Sequence, residues 1–299
     1  MNVLHSFQNR KYKNIFIISS IAAAIIATVL RTVGILFFYE KETAYFEKDA
    51  ALPIVLWAFI ALSLVVFAVC SVFTINRKEE ISSPSKYAKY AAVLPAAAML
   101  VFIVKKVEEL APAYENYLNG FKMPFIYSCG ILIAAAFCIL FFLAFAFMKT
   151  DSSVVLFSSV AFFAWGIFDW ITSYIEFMTP INSPDKLFFH LACISIILFM
   201  ISELRAIHGF AKPKFYYFSL AASILTLSVS SIPCVIGAFT ESFKNDLLLA
   251  GNIVMLTLLA FVITRAVTLI LQKEPEKKIE EAPAHEEKEQ ETTETDDQE

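Results

Sequence analysis

Four ionisable residues, Asp169, Glu176, His190 and Glu203, stand inside a stretch that otherwise belongs to hydrocarbon. From Val154 to His208 the sequence reads as two membrane-length apolar runs joined by a short polar connection, Met178–Asp185. Arg205 lies in the same stretch, and Arg31 and Arg265 lie in apolar runs elsewhere. A charge in the bilayer interior costs at least ~2.5 kcal/mol on insertion scales, so each needs a partner or a water-filled cavity.

Two groupings follow from depth. Arg31 and Asp169 each fall about two turns before the outer end of their runs. Glu176 lies seven residues after Asp169, on the same helical face, and His190 lies one turn inside the following run. One reading is a polar outer vestibule, with Arg31 as anion anchor, Asp169 and Glu176 as counter-charges and His190 as a titratable lip. The plainer reading is an Arg31–Asp169 pair that ties the first run to the fifth. Nearer the inner surface, Glu203 and Arg265 stand at similar depth and would satisfy each other, although Arg205 and Arg265 could also snorkel to the headgroups.

Catalytic chemistry finds little support. The sequence has no HExxH, GxSxG or GxGD motif and no phosphate-cradling glycine loop. Its five cysteines all fall within apolar runs, with no CxxC pair or Cys/His cluster, so they read as small buried hydrophobes. The expectation is a protein without catalytic activity, metal or cofactor, and without affinity for nucleic acid.

Composition sets the class. Of 299 residues 58% are hydrophobic and 17% charged, more apolar and less charged than a soluble domain. The expected fold is all-α, a polytopic membrane bundle of about eight helices filling residues 14–272. The runs cover about Asn14–Tyr39, Leu52–Ile75, Tyr87–Val104, Pro124–Met148, Val154–Phe177, Lys186–Ile207, Phe215–Phe239 and Leu247–Leu271. Each has the ~20 residues that a core of ~30 Å requires. The first run follows a basic segment, residues 1–13, but is too long for a secretory signal and has no convincing cleavage site.

The third run has the weakest apolar signal and carries Pro95 in its middle; Lys105–Met123 reads as the longest loop. Phe141-Phe142, Phe162-Phe163 and Phe188-Phe189 fit lipid-facing packing. The seventh run has a serine stripe (Ser228, Ser230, Ser231) beside Pro233, which with Gly237 is the best candidate for a broken helix.

Residues 273–299 hold twelve acids, four lysines and no aromatic residue, a composition that predicts a disordered acidic cytoplasmic tail. With both ends in the cytoplasm, inner segments carry 14 basic residues against 7 outside, the sense of the positive-inside rule. Short loops favour a bacterial cytoplasmic membrane. The expected role is ligand sensing or assembly through the outer vestibule, with partners drawn from the lipid bilayer, a small polar ligand or another membrane protein. A small-solute secondary transporter built on the same residues is the alternative.

Overall fold

The computed structural model describes residues 2–40, 45–47, 50–76, 81–120, 122–175, 183–240 and 246–271. The chain forms α1 (Asn2–Phe37), a hairpin of β1 (Tyr39–Glu40) and β2 (Tyr45–Phe46), α2 (Ala51–Thr74), α3 (Lys86–Ala91), α4 (Val93–Glu108) and α5 (Leu110–Leu118). It continues through α6 (Lys122–Phe147), α7 (Ser153–Ile175), α8 (Pro184–Ile207), α9 (Pro213–Phe239) and α10 (Asp246–Leu271). The result is an all-α bundle with, among the described residues, eight helical stretches long and apolar enough to cross a membrane. It fits a multi-pass membrane protein.

The bundle is organised around α9. In its apolar window 83% of residues are buried, against 22% in α2, so α9 is the axis and α2 the periphery. α9 packs against α1, α8, α10 and α2, while α7 packs against α6 and α8, and α4 joins α6 to α10. Without a hydrophobic drive between helices in lipid, such association rests on close van der Waals packing and interhelical hydrogen bonds, which small residues permit. α9 supplies them at Ser219, Ala221, Ala222 and Ser223, all buried. Gly251 on α10 does the same, since a Cβ there would meet the Phe189 ring at 3.0 Å.

Local chemistry sets the ends. Ser183 precedes Pro184 at the first position of α8, where the missing N–H costs nothing, and Asp185 follows in the first turn, where the helix dipole favours an acid. Gly209, at φ +78°, ends α8 in a Schellman turn, with Phe210 N donating to Arg205 O at 2.8 Å and Gly209 N to Ala206 O at 3.2 Å. Pro213 then opens α9.

Several expectations change. The third run is interrupted at Ala92, between α3 and α4, so Pro95 sits in the first turn of α4 rather than mid-helix. Helix then continues through the expected loop, α4 carrying Lys105 and Lys106, with α5 following to Leu118. The 33 residues from Lys86 to Leu118 rise ~50 Å, more than a bilayer core needs, so the last turns project beyond it. α1 begins at Asn2, making the basic start part of the first helix. Phe141, Phe142, Phe162, Phe188 and Phe189 are core, not lipid-facing: each is at most 2% exposed, and the first three form one edge-to-face and tilted cluster. The tail and Glu176 lie outside the described residues.

Candidate functional site

Each end of α9 is held by a buried arginine. At the end of the bundle that carries the hairpin, Arg31 reaches from α1 to the start of α8. Its Nη2 donates to Asp185 Oδ1 at 2.5 Å, and the two side chains are 1% and 5% exposed. The other carboxylate oxygen, Oδ2, accepts from the Tyr39 hydroxyl at 2.5 Å. Burial first, then the neighbouring Asp185 carboxylate, push the Tyr39 hydroxyl well above its ordinary range, so it remains a donor at physiological pH. The guanidinium also lies 4.2 Å from the centre of the Phe188 ring, whose other neighbour is Trp57, stacked at 4.4 Å.

The remaining Arg31 bonds explain why α9 tolerates an internal proline. Pro233 has no N–H, so the carbonyl four residues earlier, that of Val229, loses its helical donor. Arg31 Nη1 donates to the Val229 carbonyl and, at 3.3 Å, to that of Ser230. A side chain from α1 thus replaces the bond that the proline deletes.

At the opposite end of α9 the design recurs with different residues. Arg265 Nε on α10 donates to Glu203 Oε1 on α8 at 2.8 Å, the side chains being 1% and 0% exposed. Tyr216 on α9 donates its hydroxyl to Glu203 Oε2, and Arg265 Nη2 donates to the carbonyl of Ser82, in the segment between α2 and α3. Arg205 points elsewhere: it is exposed, with Nε on the Phe210 carbonyl at 3.3 Å.

A polar seam joins the two clusters. Tyr216, Ser219, Ser223, Thr226 and Ser230 recur on one face of α9 at intervals of three and four residues. Their 14-residue span corresponds to ~21 Å. Across the seam, Ser219 donates to Ser202 Oγ at 3.1 Å, Ser223 to the Ser195 carbonyl at 2.8 Å and Ser230 to Asn252 Oδ1 at 2.8 Å, while Ser195 and Thr226 share a hydroxyl–hydroxyl bond. An apolar crevice beside it, lined by Ile60, Phe188, Leu191, Leu225, Thr226 and Val229, is too narrow for a water molecule.

The expected site residues divide differently from the sequence reading. Arg31 is paired with Asp185, not Asp169, because α1 packs along α9 whereas α7 packs on α6 and α8. Asp169 is 5% exposed and faces α10, its Oδ2 lying 3.7 Å from where a Cβ on Gly251 would stand. His190 is not an exposed lip: it is 9% exposed, with Nε2 2.9 Å from Ser173 Oγ and Trp170 edge-on to its ring. Glu203 and Arg265 stand together. Lys186, one of the seven basic residues counted on the outer side, is 1% exposed in the first turn of α8. Sequence reasoning missed Tyr39, Asp185 and Tyr216; the one available signal was the four-residue offset from Val229 to Pro233, which marks a carbonyl in need of a donor.

Comparison with protein-family models, curated proteins and solved structures finds no match. Function therefore has to be argued from the bundle itself.

Proposed function

We propose that the chain is a secondary carrier for a small polar solute, without catalytic activity, in which the two arginine clusters are the gates at either end of the α8–α9–α10 seam. The observation that carries this reading is the placement of two buried arginine–carboxylate pairs toward opposite ends of one helix with an internal proline. Carriers commonly place backbone groups released by glycine or proline along the solute path; α9 runs unbroken through Pro233, but its Val229 carbonyl is released and held by the Arg31 side chain rather than by its own helix. Buried ion pairs are also poor stabilisers compared with apolar packing, so their use at both ends favours a conformational role over a purely cohesive one. Each gate is tied to a segment flanking α2: Tyr39 precedes it and Ser82 follows it. Alternating access then requires one cluster to open while the other stays paired.

A static sensor or assembly bundle is the second reading. It is favoured by the tightness of the crevice against Thr226, which leaves no room for water in the closed form.

For orientation, the reading places the hairpin outside a bacterial cytoplasmic membrane and both termini inside. Setting the buried Lys186 aside leaves 6 basic residues outside against 14 inside. A reporter that works only in the cytoplasm should be active when fused at Glu299; activity confined to the exterior reverses the assignment.

Access to the seam tests the carrier. In a background with all five cysteines replaced, a Thr226→Cys variant in oriented vesicles should react with a membrane-impermeant maleimide added from either side. Labelling from neither side, in protein that reacts after denaturation, leaves the static bundle.

A further inference from the structure

We infer that the solute carries a carboxylate and that the Arg31 cluster is its binding site, held in the closed form by the chain's own Asp185. The inference rests on the carrier reading and names its solute by class. The donor set around Arg31 is incomplete. A guanidinium offers a carboxylate two parallel N–H groups, and the paired geometry is the strong one. Asp185 uses a single contact, Oδ1 on Nη2, because Oδ2 is turned to Tyr39. Arg31 Nε has no hydrogen-bond partner among the described residues although the side chain is 1% exposed.

A second group nearby is in the same position. Ser183, the residue before the first turn of α8, is 1% exposed; its hydroxyl does not cap the helix and has no hydrogen-bond partner among the described residues. Buried donors are normally satisfied, and an orphan in a well-packed place points to a role in function. The start of α8 adds the favourable end of a helix dipole of 24 residues. A free carboxylate on Nε and Nη2 would complete the arginine fork, displace Asp185, and release Tyr39 and with it the hairpin. Gate opening and solute binding are then one exchange of carboxylates. The Trp57–Phe188 stack forms the apolar floor beneath the guanidinium.

The test uses full-length protein in detergent, with sodium acetate and sodium succinate as probes and acetamide and succinamide as uncharged controls, at constant ionic strength. At least one carboxylate should raise the melting temperature of the wild type saturably, and its amide should not. Asp185→Asn, which removes the internal competitor, should tighten the apparent affinity about tenfold. Arg31→Lys, which keeps the charge but loses the fork, should weaken it about tenfold or more. No shift in the wild type overturns the inference. So does a shift seen only in Asp185→Asn, because that is the filling of an engineered hole, and so does a shift undiminished in folded Arg31→Lys. Carboxylate binding without two-sided labelling of Thr226→Cys sinks the carrier and keeps the anion site; labelling without binding does the reverse.

Discussion

Arg31→Leu should destabilise the protein by about 3–5 kcal/mol, the usual cost of removing one member of a buried ion pair. The variant leaves the Asp185 carboxylate with only the Tyr39 hydroxyl, in a place where the native side chain is 5% exposed. It also strips the Val229 carbonyl of its sole substitute for the donor that Pro233 lacks. Asp185→Leu should cost a similar amount by stranding the guanidinium. The double variant should recover most of the loss, because the desolvation cost of both charges disappears. It should still fall short of wild type by about 1–3 kcal/mol, the penalty of an unsatisfied buried carbonyl. Thermal unfolding of the four proteins in one detergent checks the ranking. Single variants as stable as wild type would mean that water already solvates these charges, contrary to the packed cluster described above.

The Glu203–Arg265 cluster should respond as strongly. Glu203→Leu leaves the buried Arg265 without its carboxylate, with only neutral neighbours such as the Ser82 carbonyl and the Tyr216 hydroxyl among the described residues, again a loss of about 3–5 kcal/mol. Glu203→Gln, which keeps an acceptor for Tyr216 but not the charge, should lose less. Arg265→Leu differs in a useful way, since it also frees the segment that Ser82 belongs to. Limited proteolysis should cut within residues 81–85 faster in Arg265→Leu than in Glu203→Gln. Equal cutting rates would show that the Arg265–Ser82 bond does not hold that segment.

The sequence made much of this architecture legible because the signals were periodic and long. Eight apolar runs of membrane length give, among the described residues, eight helical stretches long and apolar enough to span, and the runs that begin behind Ser183-Pro184 and Pro213 start where the turn chemistry says they should. What composition could not show was which helices are neighbours. Arg31 and Asp169 share a depth, and depth alone allowed their pairing; the packing of α1 on α9 assigns Arg31 to Asp185 instead. Asp185 was hidden by its other role, since an acid in a first helical turn is already explained by the dipole. The phenylalanine pairs misled for a related reason: lipid and bundle interior are both apolar, so hydrophobicity does not distinguish them. The stretch after Lys105 looked like a loop because its charges break the membrane signal, although charged residues such as Glu, Lys and Arg are good helix formers outside hydrocarbon. The serine stripe was visible, but its continuation through Tyr216, Ser219, Ser223 and Thr226 acquires meaning only when Ser195, Ser202 and Asn252 are placed opposite.

Central to the account is that the two ends of the bundle open in alternation, and distances across each gate test this most directly. In the cysteine-free background, one spin-label pair at Glu47 and Leu187 reports the hairpin end, and another at Tyr87 and Phe210 reports the opposite end; all four sites are exposed. Pulsed dipolar spectroscopy in lipid nanodiscs should give two distances for each pair. Conditions that lengthen the first pair, such as saturating carboxylate, should shorten the second. A single narrow distance for both pairs under every condition would contradict the account and leave a rigid bundle with two structural ion pairs.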